Sequence, residues 1–372
     1  MVAIVQRYTN GLASGLIPLL SRLSAETEMA SYRNAQWEFL LGSNEVTTFV
    51  VVDDVDTTNN QLLGCLLRID MDTTSEIKSD NRIHDAATTD NRIGSTAAGF
   101  GMMLVSPEAR GRGLAKLLLN EAMSGEDDRK RIIDRTTHKS SEGKEEQLSR
   151  KILAMCTNLG QPVYRRLGFS DVGSVTALSA TVRSAKEIGD ACSNGADIRV
   201  KTYGSLNRTS TSNGNEDSSN IDPEIRNLIA GMDARATGWD RSGRLNKLLG
   251  DPCGESLRSI AAVATYQDTP IAAAVLRQEG PGGPFAIGPM VGSEASVLPL
   301  ISALARAVPD DNESEEDRQL SILVSEHPEL VDCLIKNGFR TTFGFPAMAL
   351  DGRPIYENGD GRYLSLIHPT LG

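Results

Sequence analysis

Apolar and polar positions along the chain alternate between runs of strand length and patterns with the 3.6-residue period of helices. Four apolar runs in the first half predict buried strands, at 47–52, 61–69, 97–105 and 151–156. Residues 25–41 have a helical pattern ahead of the first strand. A further helix is predicted from near Gly113, because Leu114, Leu117 and Leu118 recur at i, i+3 and i+4. Strands alternating with helices indicate an α/β fold.

The second half repeats this order of elements. It predicts an amphipathic helix around 225–232, then strands and helices in the same order as in the first half, and finally a closing Gly-Phe pair. The predicted later elements are strands at 259–265, 271–276, 285–291 and 320–324 and helices at 297–308 and 328–336. Gly338-Phe339 repeats Gly168-Phe169 at a shift of 170 residues. A repeat of this length predicts two tandem domains.

A length of 372 residues suits two domains, each large enough to bury a core. Residues 199–203 open the second copy, and a Ser-, Asn- and Thr-rich stretch at 205–220 follows them. We therefore predict a first domain at 1–183, a linker at 184–196 and a second domain at 197–372.

The charge and composition of the chain limit the classes of partner that it is expected to bind. The formal net charge of −11 disfavours general binding to nucleic acid or to an anionic membrane, and it favours a cationic, amine-bearing substrate. No apolar stretch reaches the length of a membrane span, and the apolar run at 12–20 lacks the features of a signal peptide. These patterns predict neither a nucleic-acid partner nor a membrane partner, and they leave an oligomer open.

The cysteines predict that the protein works in a reducing compartment, and the histidines give no indication of a metal site. The five cysteines are scattered and odd in number, so we expect reduced thiols and a cytoplasmic location. Cys65 and Cys156 lie in apolar runs and are predicted to be buried structural thiols. The four histidines show no metal-ligand spacing, and no metal is expected.

A Gly- and Arg-rich turn joins the strand at 97–105 to the helix that starts near Gly113. The first N–H groups of a helix lack intrahelical partners and lie at the positive end of its dipole, so they attract anions. Gly111 and Gly113 permit positive φ and close approach of a ligand, while Arg110 and Arg112 add charge. The turn predicts a pyrophosphate site. It matches neither the P-loop nor the dinucleotide-binding spacing, and the alternative is a strand-to-helix turn without a ligand.

The spacing Arg110-x-x-Gly113-x-Ala115, preceded by Val105-x-Pro107, resembles the acetyl-CoA pyrophosphate loop of the GNAT superfamily of N-acetyltransferases. The resemblance implies an α/β (α+β) fold of tandem GNAT-like domains, each with a mixed central sheet that is splayed open and flanked by helices. It also implies acetyl-CoA as the acyl donor. The implied cofactor-binding residues are Leu104, Val105, Arg110, Gly111, Arg112, Gly113, Leu114 and Ala115.

A second segment, starting at Tyr164, has the Tyr-x-x-x-Gly-Phe pattern that closes the GNAT core. In that family the tyrosine hydroxyl lies near the cofactor's sulfur, so the resemblance implies that Tyr164 is a catalytic acid that protonates the departing thiolate. The strand at 97–105 carries no Glu or Asp that could act as the base, and we name no residue for that role.

The second copy lacks both motifs. The turn after Val291 has no arginine, and Glu294 brings negative charge to the position of the phosphate site. Leu334 stands where the first copy has its tyrosine, and a leucine cannot donate a proton. Trp239 and Arg241 are candidates for the acceptor site, with a packing role as the alternative for the tryptophan.

The leading hypothesis is an acetyl-CoA-dependent N-acetyltransferase that acts on a primary amine, either a small molecule or a protein amino group. Its rival is a catalytically weak acetyl-CoA-binding sensor or scaffold protein. An intact tyrosine beside an intact loop favours the enzyme, because a sensor needs the loop but not the acid.

Overall fold

The structure is a computed structural model that describes residues 3–9, 16–26, 37, 41, 46–53, 62–73, 96–124, 151–192, 198–204, 206, 221–250, 257–279, 283–309, 318–353 and 363–366. The first half contains β1 (Ala3–Thr9), α1 (Ile17–Glu26), β2 (Val46–Asp53), β3 (Leu62–Thr73), β4 (Thr96–Val105), α2 (Leu114–Ala122), β5 (Lys151–Met155), α3 (Gln161–Arg166), β6 (Ser170–Thr181) and α4 (Val182–Cys192).

The second half begins with β7 (Ile198–Tyr203), α5 (Pro223–Thr237), β8 (Trp239–Asp240), α6 (Ser242–Gly250), β9 (Leu257–Tyr266) and β10 (Thr269–Glu279). It continues with β11 (Phe285–Gly292), α7 (Val297–Arg306), β12 (Gln319–Ser325), α8 (Pro328–Lys336), β13 (Arg340–Ala349) and β14 (Tyr363–Ser365). Mixed strands and helices confirm the predicted α/β (α+β) class.

The predicted strands are present within a few residues of their expected bounds. The sequence did not predict α1, whose first residues fall within the apolar run at 12–20. Most of the helix predicted at 25–41 lies outside the described residues. Within it, Trp37 and Leu41 are both helical and buried.

One continuous sheet runs through both halves in the order β1-β2-β3-β4-β5-β13-β6-β12-β14-β11-β10-β9-β7, and β8 pairs with β3. Strands are exchanged at its centre. Strand β13 of the second half lies between β5 and β6 of the first, and β6 lies between β13 and β12. The exchange means that neither half completes its sheet with its own strands.

The exchanged strands are related by the sequence repeat. The antiparallel register of β6 and β13 pairs Val175 with Phe345, Gly173 with Ala347 and Ala177 with Phe343. Val175 and Phe345 are 170 residues apart, the shift already seen between the Gly-Phe pairs. The centre of the sheet therefore has approximate twofold symmetry.

Apolar side chains cover both faces of this sheet. One face carries a core shared by both halves, which we call the common core; it includes Leu20 of α1, Leu104 of β4, Val175 of β6 and Leu245 of α6. The opposite face has two separate cores, one under α2 and α3 in the first half and one under α4, α7 and α8 in the second. The common core contains apolar residues of both halves and therefore helps to join them.

Helix α4 occupies much of the segment that the sequence assigns to a linker. It begins at Val182 and ends at Cys192. The Ser302 hydroxyl of α7 donates to the Lys186 carbonyl oxygen of α4 over 3.0 Å. The first nine residues of the predicted linker are thus helical, and they contact the second half.

Candidate active site

Strand β4 bends where it passes the end of β5. Its register with β3 moves from Gly101–Leu67 to Leu104–Cys65, so β4 has one residue more than its partner over this interval. Met102 in the bulge has φ of 50°, a left-handed conformation that is rare for a non-glycine residue. A bulge of this kind turns a strand away from its neighbour.

Strands β4 and β5 separate just beyond the bend. Their parallel pairing ends at Phe100 and Ala154, and β5 itself ends at Met155. On the other side of β5, strand β13 continues past that point to Arg340, and the Cys156 N–H donates to the Pro346 carbonyl oxygen over 3.2 Å. Within the described residues, no strand fills the space between the end of β4 and the first half of β13. We call this opening the first cleft.

The predicted phosphate loop follows β4 at the mouth of the first cleft. A 3₁₀ turn at Pro107–Ala109 leads into Arg110–Gly113, whose four residues are all exposed. Gly111 and Gly113 have φ of 76° and 79°, and a Cβ on either would have nothing within 4 Å. Both glycines are therefore required by backbone conformation, and open space lies in front of them.

The start of α2 presents its N–H groups to this space. The first bond of the helix runs from the Leu117 N–H to the Gly113 carbonyl oxygen over 3.0 Å, so the N–H groups of residues 114–116 have no acceptor within the helix. Gly113 provides no side-chain cap. An anion in front of the loop would satisfy these donors and complement the helix dipole.

The eight predicted cofactor-binding residues form two runs, 104–105 and 110–115, and they cannot all contact a ligand in the same way. Leu104 is buried in the common core, and Leu114, the first residue of α2, is buried in the core beneath that helix. Only the backbone atoms of these two residues are therefore available to a ligand. Val105 and Ala115 are half-buried. The Arg110 Nε donates to the Val105 carbonyl oxygen over 3.3 Å, which turns this guanidinium back toward the strand end.

Tyr164 lies in α3, directly after β5. Its side chain is 1% exposed and belongs to the same apolar cluster as Leu114, with its ring edge-on to Phe169 at 5.3 Å between centroids. Burial, and to a lesser extent the nearby Cys156, raises the pKa of the Tyr164 hydroxyl above its ordinary value. The hydroxyl therefore keeps its proton throughout the neutral range.

Helix α3 is tied to the sheet by polar contacts on its exposed side. Arg165 forms an ion pair with Asp171 of β6, and the Gln161 Nε2 donates to the same carboxylate over 2.9 Å. These hydrogen bonds lower the pKa of Asp171, with that from Arg165 contributing most. The contacts orient the short helix that carries Tyr164.

The second half has an equivalent opening, and the chain itself fills it. Parallel pairing of β11 and β12 ends at Ile287 and Ile322. Strand β14 enters between them, pairing Ser365 with Met290 on one side and with Val324 on the other. The Leu366 N–H donates to the Leu323 carbonyl oxygen over 2.9 Å. We call this filled opening the second cleft, and residues 363–366, all of them buried, its plug.

The loop at the second cleft is also shorter. Ser106 and Ser293 each accept an N–H bond from the residue three positions later, at 2.9 and 3.0 Å. After that shared turn, α7 begins at once with Val297, whereas α2 begins only after Arg110–Gly113. The second half thus lacks the four exposed residues that form the candidate phosphate loop.

Two further features distinguish the second half from the first. The Phe169 N–H donates to the Tyr164 carbonyl oxygen and the Phe339 N–H to that of Leu334, over 3.2 and 3.1 Å, which confirms that Leu334 is the counterpart of the tyrosine. Glu294 lies 3.4 Å from Nδ1 of His327, whose Nε2 is 3.0 Å from the plug's Tyr363 carbonyl oxygen.

Trp239 and Arg241 do not line an accessible site. Both residues are 2% exposed. Arg241 forms two hydrogen bonds with Asp233, at 2.9 and 2.6 Å, and its guanidinium lies over the Tyr363 ring at 4.8 Å. The suggestion that they contact an acceptor is wrong for this structure, and the packing alternative holds.

Cys65 and Cys156 are buried, as predicted. Desolvation raises the pKa of each thiol to about 12. Among the described residues, no three His, Cys, Asp or Glu side chains are grouped so that they could hold a metal ion. Within the same part of the chain, no helix combines the length and apolarity needed to cross a bilayer.

No protein-family model matches the sequence, and a comparison with curated proteins finds no relative. Solved structures do share the fold. A tandem GNAT protein from the clavulanic acid biosynthesis pathway aligns with a TM-score of 0.56 at 15% identity, over 94% of this chain and 98% of that one. The chain has a tandem GNAT fold.

Two other solved structures also align over nearly the whole of this chain, and they support the same fold. A candidate acetyltransferase from Pyrococcus horikoshii aligns over 100% of this chain and 96% of its own, with a TM-score of 0.58 and 13% identity. A GCN5-related glucosamine N-acetyltransferase region of a fungal multi-domain β-N-acetylglucosaminidase aligns over 94% of this chain and 38% of that protein, with a TM-score of 0.54 and 13% identity.

Sequence reasoning missed the exchanged strands and the plug. Strand pairing between distant segments leaves no local signal in a single sequence, because each strand shows only its own apolar pattern. Alternate aromatic positions such as Phe343 and Phe345 are typical of one face of a strand, but no strand was predicted at these residues. Nothing local indicated that this face borders the first half's cleft.

Proposed function

We propose that this protein is an acetyl-CoA-dependent N-acetyltransferase whose single active site is the first cleft. The observation that carries the proposal is the exposed loop at Arg110–Gly113, with open space before both glycines and free helix N–H groups behind them. Such a loop fits the pyrophosphate of coenzyme A. The neighbouring cleft offers the unpaired edge of β4 to the pantetheine arm.

The reaction we propose is direct acyl transfer to a primary amine. The amine nitrogen in its neutral form attacks the thioester carbonyl carbon, the C–N bond forms and the C–S bond breaks. Backbone N–H groups at the β4 bulge stabilise the developing oxyanion. Tyr164 gives its proton to the leaving thiolate, and the new ammonium group loses a proton to water or to a carboxylate.

The residues assigned to the cofactor are those of the loop and its flanks: Leu104, Val105, Arg110, Gly111, Arg112, Gly113, Leu114 and Ala115. The protein's net charge of −11 supports a cationic acceptor.

The alternative function is a catalytically weak acetyl-CoA sensor or scaffold. The burial of Tyr164 against Phe169 favours this alternative, since a residue in such a position also serves as a core aromatic. The two functions differ in turnover. A screen of small amines and peptides with acetyl-CoA, following the release of free CoA thiol, should show amine-dependent release for the enzyme. Saturable acetyl-CoA binding without release above background would support the sensor.

A further inference from the structure

Strand β13 has an unpaired edge although it lies in the middle of the sheet. On one side it pairs with β6 from Arg340 to Ala349. On the other side it pairs with β5 only from Ala347 to Ala349. Among the described residues, no strand pairs with the second side of β13 at 340–345. This free edge faces the first cleft.

The contact between Pro346 and Cys156 shows which backbone groups point along the free edge. The Pro346 carbonyl oxygen accepts the Cys156 N–H over 3.2 Å, so it faces the β5 side. Orientation alternates along a strand, and the register with β6 is regular from Phe343 to Ala347. The N–H and C=O of Gly344 therefore face the same side. Gly344 is exposed, and a glycine has only backbone atoms to expose.

Exposed aromatic rings lie beside this edge. Phe343 and Phe345 stack at 5.7 Å between ring centroids, and Phe343 is 50% exposed. Both rings lie on the common-core face, since Phe345 packs partly against that core and the two residues are on the same side of the strand. Central strands normally bury large aromatic side chains. A free strand edge with an apolar surface next to it is what an added strand would cover.

The first cleft has room for two extended ligands side by side. One strand position opens where β4 leaves β5, just as the plug's position opens between β11 and β12 in the second cleft. In the described part of the chain, another position opens where β5 ends, because β13 continues beyond that point. The proposed function uses the position beside β4 for the pantetheine arm. The position beside β13 is left for the acceptor.

We infer that the acceptor is the N-terminal segment of a peptide, which adds to β13 as an extra antiparallel strand; this inference rests on the proposed function. The plug is the precedent within the molecule, since a peptide strand there pairs with both walls of the equivalent opening. Gly344 exchanges two hydrogen bonds with the second peptide residue. The third peptide residue lies opposite Phe343, so its side chain contacts the exposed ring.

The strand registers place the β4 bulge beside this end of the free edge. Phe100 of β4 is opposite Ala154 of β5, which is opposite Met348 of β13. Two residues farther along each strand, Met102 in the bulge is level with Pro346. The oxyanion donors of the proposed function are therefore at the height that the peptide's first residue approaches.

The peptide's α-amine is the nucleophile. Cys156 occupies the position next to Pro346, so the first peptide residue turns toward β4, one strand spacing of about 4.8 Å away. The neutral amine attacks the thioester carbonyl carbon, the C–N bond forms and the C–S bond breaks. The thiolate takes the Tyr164 proton, and the new ammonium group loses one proton to water or to a carboxylate.

The pentapeptide amide Ser-Ala-Leu-Ser-Gly-NH2 and serinamide test the inference, because both carry a seryl α-amine and only the peptide reaches Gly344. We expect kcat/KM for the pentapeptide to be larger by about 10- to 100-fold, as for two backbone hydrogen bonds. A methyl group on the amide nitrogen of the second peptide residue should raise KM by about tenfold, because it removes one of them. The same methyl group on the C-terminal amide is the control and should have little effect.

Variants of Gly344 test the same contact from the protein's side. Gly344→Pro removes the N–H from the free edge, in a strand that already contains Pro346 on that side, and should lower the ratio of pentapeptide to serinamide kcat/KM by about tenfold. Gly344→Ala keeps the N–H, and its Cβ would meet only the Val175 carbonyl oxygen, at 3.5 Å. It should keep most of the ratio.

The aromatic surface is tested by the third peptide residue. The wild-type chain should prefer Leu to Ser there by about fivefold in KM, and Phe343→Ala should remove this preference. Ile335→Ala also truncates an exposed apolar side chain, on α8, and is the matched control. It should keep the preference.

Equal kcat/KM for the pentapeptide and serinamide would overturn the inference, as would a pentapeptide KM that responds neither to the methyl group nor to Gly344→Pro. Equal acceptance of an N-terminally acetylated peptide with one lysine would also overturn it. The methylated peptide keeps the test decisive if Gly344→Pro does not fold. Failure of the proposed function has a different signature: calorimetry with the CoA-saturated chain would still show pentapeptide binding that the methyl group weakens, without release of CoA thiol from acetyl-CoA.

Discussion

The first and second clefts are built from equivalent strands, yet within the described part of the chain the first is open and the second is filled. In the first, β4 and β5 part and leave a gap bordered by an exposed four-residue loop. In the second, the loop is absent and the plug at 363–366 forms hydrogen bonds with both walls. The difference shows that a peptide strand of the chain can satisfy, in one repeat, the strand edges that the equivalent opening of the other repeat leaves unpaired.

The clefts also differ in the origin of their far walls. Beyond the end of β5, the first cleft is bordered by β13 of the second half, whereas the second cleft lies between β11 and β12, which both belong to the second half itself. The second half therefore cannot be removed without opening the first half's sheet. This structural contribution is a sufficient reason for the chain to keep its second half, even if that half has no activity of its own.

The largest effect is expected from charge reversal in the loop. Gly113→Glu places a carboxylate and a side chain where the anion would bind, so acetyl-CoA affinity should fall by at least about 100-fold. Isothermal calorimetry measures this directly. Gly113→Ala imposes the same backbone strain without the charge and should lose much less affinity.

Ala295→Glu introduces the same charge in the exposed turn of the second cleft and is the matched control. It should leave acetyl-CoA affinity as it is. Equal losses in Gly113→Glu and Ala295→Glu would show that the two clefts do not differ as the structure indicates.

The next effect, on turnover and not on binding, is expected at Tyr164. Tyr164→Phe keeps the buried ring and removes only the hydroxyl, so kcat should fall by roughly 10- to 1000-fold, while the fold and acetyl-CoA affinity are kept. Steady-state kinetics with thiol detection provide the measurement. Tyr266→Phe, at an exposed position, is the control. Full activity in Tyr164→Phe would reduce the residue to a core aromatic.

The plug should affect stability and not ligand binding. Leu366 is fully buried and its N–H bonds to β12, so Leu366→Ala should lower the free energy of unfolding by about 2–5 kcal/mol. Urea unfolding tests the loss. Acetyl-CoA affinity should stay the same, because the plug is in the cleft that has no loop. A gain of acetyl-CoA sites on loosening the plug would mean that the plug, and not the missing loop, keeps the second cleft closed to ligand.

The sequence predicted those features that depend on residues close to one another along the chain. The start of α2 at Leu114 and the positive φ of Gly111 and Gly113 followed from helix periodicity and glycine placement, and the structure confirms them. Buried strands and thiols followed from apolar runs. The domain boundaries and the roles of the site residues stay predictions.

What the sequence did not predict depends on contacts between distant segments. The plug's apolar residues fit any buried strand, and no local feature indicates that they enter the gap beside β11. The exchange of β6 and β13 is hidden for the same reason.

The number of acetyl-CoA molecules bound by each chain tests the central claim most directly. Calorimetric titration of the full-length chain should give one site, and Gly113→Glu should abolish it. Both results follow from a loop and a gap that only the first cleft has. Two sites for each chain, or one site that survives Gly113→Glu in a folded chain, would contradict the assignment of the cofactor to the first cleft.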